Sequence, residues 1–534
     1  MTVTAAGGPS RIEAAAVPDA VRRRLSSPVP ERDRRSWVAA GIVTALAAIL
    51  RLVDLDRPGH IIFDETYYAP HGYALLRYGV EWQLAENGAH PVGGAPVFAD
   101  GPAYVVHPPL GKWLIGLGEW VFGYTPFGWR IAAAVAGTLS VLMVARIGRR
   151  LFGSTVLGAA AGLLVALDGM HLVLSRTALL DIFLMFFVVA AFGALLLDRD
   201  ARRRRWLRAL ADGLDPSRPG RAGAPPFDWR TGVPWWRLAA FALLGCATAV
   251  KWSAVFFVPV FLVLVVVWEA GARRSAGVRR PWRDTYLHET LSVVGSALVL
   301  PVVYLASWTG WLVTDHGYFR NWRADNGLDQ LPVIGALQNL LHYHARALSF
   351  HGGLDEPHQY ESDPWQWLLL ARPVAFHWSG DGDCGAARCA SEVLLLGTPL
   401  LWWVFLPAIG VALWRGVARR DWRAGAVLAA AAAGIVPWFL LDLLGERVMF
   451  YFYALPAEPF LVLTVVYVLG ALIGPPSRRW DWFGFDRRTV GVVAAATYLL
   501  LVALNFAYFY PIYTGLDIPY EAWQARLWLG SRWY

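Results

Sequence analysis

The chain has 534 residues, of which 56% are hydrophobic, 14% aromatic and only 16% charged, and its mean hydropathy is +0.41. Soluble domains carry closer to about a quarter charged residues, so the composition excludes a soluble globular protein and indicates a polytopic α-helical membrane protein. The net charge of +8 is no sign of nucleic-acid binding, because the arginines fall in short blocks between apolar runs, as positive-inside loops do.

Residues 1–36 are polar and Arg-rich and lack the apolar core and small-residue cleavage site of a signal peptide; a disordered cytoplasmic tail is expected there. Residues 37–510 then carry about eleven apolar segments near the ~20-residue length that crosses a bilayer as helix. The first, 37–54, leaves the basic tail and so ends outside. Arg51, near that end, either snorkels to the interface or faces the acidic pair that follows. A first outer loop covers 55–124, and its HPPLGKWLIGLGEWVFG portion reads as a proline-started helix lying along the interface. Further spans are expected at 126–145, 154–174 and 178–197, the last ending in the basic block DRDARRRRWLR. The apolar stretch 236–268 has arginine on both flanks, so two shorter spans turning outside at 250–253 obey the charge rule where one helix would not. A span at 291–308 opens into a large outer loop, 309–392. Spans at 393–414, 424–444, 451–473 and 490–510 follow, and an outer tail, 511–534, carries Trp and Tyr suited to a headgroup-level anchor. The N-terminus is expected in the cytoplasm and the C-terminus outside. Of the 12 histidines only His288 falls inside, so chemistry is expected on the outer face.

Two lysines stand among 48 basic residues, Lys112 and Lys251. In a chain that otherwise uses arginine, each marks a site wanting a compact ammonium rather than a planar fork, with chance survival as the plain alternative. Cys246 lies in an apolar run and reads as a small core residue. Cys384 and Cys389 sit in the large outer loop, where a disulfide can form; two cysteines without a second pair make a poor zinc signature.

The adjacent carboxylates Asp64 and Glu65 stand where the first span emerges into water. Adjacent carboxylates repel, and partial burial raises the pKa of at least one, which suits a general base; the plain alternative is a solvated or helix-capping pair. His107 to Lys112, HPPLGK, combines rigid prolines with a cation, which makes His107 and Lys112 candidates to bind the donor phosphate or sugar; the plain alternative is a proline-stiffened helix start with an interfacial lysine. Arg130 opens the second span, and Arg176 and Asp181 bracket the start of the fourth. Ionised groups at such depths face a cavity or one another, so Arg176 and Asp181 also read as a structural pair. Arg130 and Lys251 are candidates to hold a phosphate, with Arg447 a weaker one. In the large loop, His342, His344, His351, His358, Tyr360 and Trp365 can contact a sugar or an acceptor, or form an aromatic cover at the interface. His342 and His344 could ligate a metal, but no carboxylate spacing completes a metal motif, and no metal or other cofactor is expected.

Assembled, these stretches resemble the protein O-mannosyltransferase family of dolichyl-phosphate-mannose-dependent enzymes, above all its bacterial members. The resemblance rests on FDETYY, HPPLGK, Trp129-Arg130, SRTALLDIF, AVKWSAVFF, HYHARALSFH with HQYESDPWQW, and RVMFYFYALP. It implies a C-type glycosyltransferase fold with a catalytic carboxylate in the first outer loop, mapped onto Asp64 and Glu65. It also implies transfer of mannose from a polyprenyl-phosphate-mannose donor to Ser or Thr hydroxyls of proteins, including those emerging at the Sec translocon, in a bacterial plasma membrane. The large outer loop is too short for the sugar-binding-like domain that eukaryotic members insert there.

On that reading one carboxylate takes the hydroxyl proton while the polyprenyl phosphate leaves as an anion. The anion needs cations, from Arg130, Lys251 or Arg447, rather than a proton donor. A single displacement inverts the sugar. Asp64 is assigned as base with Glu65 positioning the acceptor or a neighbouring cation, and the reverse assignment stays open. A glycan or lipid acceptor is the near rival. A transporter would instead place charge near the midplane in related halves, and a scaffold would leave the acidic pair dispensable.

Overall fold

The computed structural model describes residues 17–27, 29, 33–91, 93–217, 233–354, 356–445, 447–474 and 486–533. The expected disordered tail carries a helix, α1 (Asp19–Leu25), whose Leu25 is buried against Trp206, Ala272, Ala276 and Val278; residues 1–16, 28 and 30–32 of that tail lie outside the described residues. The first span, α2 (Arg34–Leu52), starts where the Asp33 side chain accepts from the Ser36 N–H. After it follow α3 (Glu65–Tyr78), a hairpin of β1 (Trp82–Leu84) and β2 (Phe98–Pro102), and α4 (Leu110–Phe122). The span α5 (Pro126–Phe152) has Thr125 as N-cap, proline at its first position and Gly153 in the left-handed conformation at its end, the start and stop signals a helix uses.

The expected third span is broken. Helices α6 (Thr155–Ala166) and α7 (Gly169–Ser175) meet at 64°. At the break Asp168 caps α7 and also accepts from Thr398 N–H and from the Trp402 indole at 2.6 Å. Then come α8 (Asp181–Ala211), α9 (Trp235–Val250), a 3-10 turn at Trp252–Phe256 and α10 (Phe257–Ala276), with the break at Lys251 where the charge rule required a turn. Helices α11 (Pro281–Ala297) and α12 (Val299–Ser307) form one long, mostly exposed apolar span. The large outer loop is ordered as α13 (Thr309–Val313), α14 (Trp322–Asp325), α15 (Ile334–Gly352), α16 (Pro364–Trp367) and β3 (Val374–Ser379).

The eighth span starts later than expected. Residues 393–395, expected to open a membrane helix, instead end the fully buried strand β4 (Cys389–Leu395), and the helix α17 begins only at Pro399 (Pro399–Arg419). It is followed by α18 (Trp422–Leu444), a 3-10 turn at Tyr451–Ala457, α19 (Glu458–Ile473) and α20 (Arg487–Thr514). The turn between the last two lies largely outside the described residues, as does most of the loop before α9. The aromatic tail is no simple anchor: β5 (Ile518–Pro519) pairs antiparallel with β4, Trp523 of α21 (Tyr520–Gln524) donates to Glu392, and Trp533 donates to the Leu370 carbonyl. The fold is therefore helical with two small antiparallel sheets, not wholly helical. Among the described residues nine helices are long and apolar enough to cross a membrane, or ten with the bent α6–α7 pair. The remaining expected span, α9, has 16 residues.

At the end of the bundle that carries the basic blocks, Arg202, Arg237 and Arg273 interlock with Asp198, Glu269 and Glu289 at 2.5–3.0 Å along the closest contacts. Buried charges survive only when paired in this way, and the pairing fastens α8 to α11. The opposite end holds the acidic pair.

Candidate active site

The chain leaving α2 is tied down before it reaches Asp64. Arg176 donates from Nη1 to the carbonyls of Leu50, Arg51 and Val53 and from Nη2 to that of Asp54, filling the orphan acceptors of a helix end. Arg130, fully buried, donates to the carbonyls of Leu55, Pro58 and His60. Its Nε and Nη2 grip Glu65 at 2.7 and 2.8 Å. Glu65 is buried, and each of its oxygens accepts one further N–H, from Ala178 and from Ile62. Arg130 and Arg176 are thus spent on carbonyls and Glu65. Neither is placed to hold a phosphate, and Arg176 does not pair with Asp181.

Asp64 differs from its neighbour. It precedes α3, yet its side chain makes no capping bond, so the helix-cap alternative fails. No ion pair or side-chain hydrogen bond engages its carboxylate among the described residues. Phe63, at φ 47°, turns the backbone and stacks on Phe376 at 4.3 Å. Burial pushes the Asp64 carboxyl up to about 6, with the Lys251 charge pulling it down and Asp181 pushing it further up. Lys251 lies in the break between α9 and α10, its Nζ 2.9 and 3.0 Å from the two oxygens of Asp181 and 4.6 Å from the Tyr453 ring centroid. Two far-separated stretches therefore bring a lysine–aspartate pair to the free carboxylate.

His107 stands beside this group. Burial first, then the charges of Lys251, His351, Lys112 and Arg447, hold its pKa well below the usual imidazole value, so the ring is neutral. Its ring lies 5.2 Å from that of His351 and 6.4 Å from that of Tyr68. Arg447, over Trp438 at 5.7 Å, lines a cavity of about 330 Å³ with Glu361, Asp363 and Asp442; it forms no ion pair among the described residues. Lys112 is buried against Glu81, away from solvent.

The remaining histidines of the large loop disperse. His342 stacks on Trp322 at 3.8 Å, and His344 bonds Tyr304 and the Leu340 carbonyl. The two rings are thus engaged separately, each within an aromatic cluster. His358, packed on Phe450 at 5.1 Å, and Trp365 line a second cavity of about 700 Å³ that shares Glu361 with the first. Tyr360 is half-buried nearby and packs against the core. Cys384 and Cys389 are disulfide-bonded in the β3–β4 connection. Arg51 neither snorkels nor faces the acidic pair: it is buried in the bundle, 2.8 Å from His171 Nδ1. Sequence reasoning missed Glu81, which has no motif around it, and Tyr68 and Tyr453, which stand inside the quoted FDETYY and FYFYALP.

A family model described as dolichyl-phosphate-mannose-protein mannosyltransferase matches residues 41–215, and one described as the C-terminal four-transmembrane region of protein O-mannosyltransferase matches residues 336–533. The polyprenol-phosphate-mannose–protein mannosyltransferase of Mycolicibacterium smegmatis is 41% identical, covering 93% of each chain. That of Corynebacterium glutamicum is 33% identical with the same coverage. The Saccharomyces cerevisiae protein O-mannosyltransferase Pmt1–Pmt2 complex bound to the sugar donor contains a chain matching at a TM-score of 0.69 and 15% identity, over 99% of this chain and 96% of that one, a likeness of fold. With identity above 30% along nearly its whole length, and with Asp64 and Glu65 seated at one end of the matching helical fold, this chain belongs to the protein O-mannosyltransferase family.

Proposed function

We infer that this multi-pass membrane enzyme transfers mannose from polyprenyl-phosphate mannose to Ser or Thr hydroxyls of protein acceptors, with inversion, at the extracytoplasmic face of the plasma membrane. The donor and acceptor classes rest on the names its full-length relatives carry. The single observation that carries the mechanism is the division of labour in the acidic pair. Glu65 is consumed by Arg130, while Asp64 keeps an unengaged carboxylate of raised pKa beside Lys251 and Asp181.

The acceptor oxygen attacks the anomeric carbon, its proton passes to Asp64, and the bond from that carbon to the phosphate oxygen breaks. The polyprenyl phosphate leaves with the electron pair and needs cationic stabilisation, not a proton. Lys251 and Arg447 supply it; Arg447 makes no ion pair among the described residues, although Glu361, Asp363 and Asp442 line the same cavity. One carboxylate suffices, unlike the opposed pair of a glycosidase. The cavities that meet at Glu361 accommodate the acceptor chain, with His358, Tyr360 and Trp365 alongside. If α9 and the bent α6–α7 pair each cross, the crossings number eleven and the termini lie on opposite sides; the basic blocks favour a cytoplasmic N-terminus, with the active site outside and within reach of chains leaving the Sec translocon. The test is transfer of labelled mannose from polyprenyl-phosphate mannose to a Ser/Thr peptide by purified protein. Transfer by the wild type and none by Asp64→Asn supports the reading; wild-type turnover in the variant removes Asp64 as base.

A further inference from the structure

The HPPLGK motif folds back on itself. Lys112, in the first turn of α4, is 1% exposed; its Nζ lies 2.5 Å from Glu81 and donates to the carbonyl of His107 at 2.8 Å. Glu81 follows the Gly79 that ends α3, and its own carbonyl accepts from Ala103 N–H. From the other side α15 holds the same strip of chain. The Tyr343 hydroxyl donates to the Val105 carbonyl at 2.6 Å and accepts from the Val105 N–H at 3.0 Å, and His351 Nε2 lies 3.1 Å from the Val106 carbonyl. Three successive carbonyls are thereby fixed, and what remains adjustable at residue 107 is the ring. Neither ring nitrogen has a hydrogen-bond partner among the described residues, although the ring sits beside Tyr68 and His351.

The helices beside Lys112 approach closely. A Cβ added at Gly72 would stand 2.9 Å from the Lys112 carbonyl oxygen and from Gly116 N, so α3 and α4 pack backbone to backbone, and one at Gly111 would stand 2.6 Å from Leu180 Cδ2 at the start of α8. The Lys112 ammonium, held by Glu81 and the His107 carbonyl, is buried rather than offered to solvent.

We propose that Lys112 and Glu81 are positioning residues of the transferase that act through His107, aiming its imidazole at the substrate beside Asp64 and Lys251. The proposal rests on the function inferred above. It is tested by a double-mutant cycle in the purified full-length chain: Lys112→Met, His107→Ala and both together, read as single-turnover mannose transfer at saturating donor. Lys112→Met is expected to slow transfer about tenfold to a hundredfold, the penalty of a slightly misplaced group. Added to His107→Ala, it is expected to change the rate by less than about twofold, because its route of action is already gone. Losses that multiply would make Lys112 an independent contributor, and an unchanged Lys112→Met rate would remove it from the site; either result overturns the proposal. Should Lys112→Met fail to fold, Glu81→Gln, which removes the counter-charge that holds the Lys112 ammonium against the His107 carbonyl, takes its place in the cycle under the same criteria. Inactivity of the wild type would count against mannose transfer alone. The cycle is then read in polyprenyl-phosphate binding, where non-additive losses support the positioning role and additive ones refute it.

Discussion

Replacing Glu65 with glutamine turns one of its oxygens into an amide nitrogen, and no orientation of that amide fits. Oε1 accepts from Arg130 Nε at 2.7 Å and Ala178 N at 3.0 Å; Oε2 accepts from Arg130 Nη2 at 2.8 Å and Ile62 N at 3.1 Å. Whichever oxygen is lost, an NH₂ group faces two N–H donors, and a fully buried guanidinium loses its counter-charge. Breaking a buried pair from one side costs about 3–5 kcal/mol. Arg130 retains three carbonyl acceptors, so the lower end, about 3 kcal/mol, is expected. Asp64→Asn disturbs no ion pair or side-chain hydrogen bond among the described residues. It should leave the melting midpoint at or above that of the wild type while removing about 10²–10⁴-fold of turnover, the usual worth of a positioned base. The assay is thermal unfolding of both variants in detergent beside mannose transfer. If Glu65→Gln melts with the wild type, or Asp64→Asn melts well below it, the assignment of structural and chemical roles within the pair is refuted.

The pH–rate profile should show an acidic limb near pH 6, because the base acts as carboxylate and burial pushes Asp64 up to about 6; a flat profile from pH 5 to 8 would contradict that. Lys251 lowers the Asp64 pKa and Asp181 raises it, so Lys251→Met should move the limb to higher pH and Asp181→Asn to lower pH, and shifts in the opposite senses would break the assigned couplings. Arg176→Met should cost about 1.5–3 kcal/mol of stability, the worth of charge-assisted bonds at a helix end, with little change in donor KM; a raised KM at unchanged melting temperature would restore Arg176 as a ligand. Arg447→Ala should raise the donor KM about tenfold or more, the equivalent of one lost charged hydrogen bond, with melting nearly unchanged; an unaltered KM would exclude it from the phosphate.

The charge blocks and apolar run lengths located the helices, including the break at Lys251, because crossing a bilayer requires a continuous apolar stretch and an uncharged turn cannot hold orientation. The same run length misled at residues 393–398, since a buried strand and the start of a membrane helix carry equally apolar sequence over so few residues. The order of Asp64, Glu65, HPPLGK and the Lys251 turn also pointed, through resemblance, to the family. Partner choice was another matter. Arg130 with Glu65, Lys251 with Asp181, Arg176 with the end of α2 and Lys112 with Glu81 are matched, in three of the four cases, across more than sixty residues of chain. A charge in a membrane bundle must find a counter-charge or a carbonyl, and the local sequence states only that need. Which partner fills it depends on how helices far apart in the chain lie against each other, and that packing alone separated the carboxylate gripped by Arg130 from the one left without an ion pair.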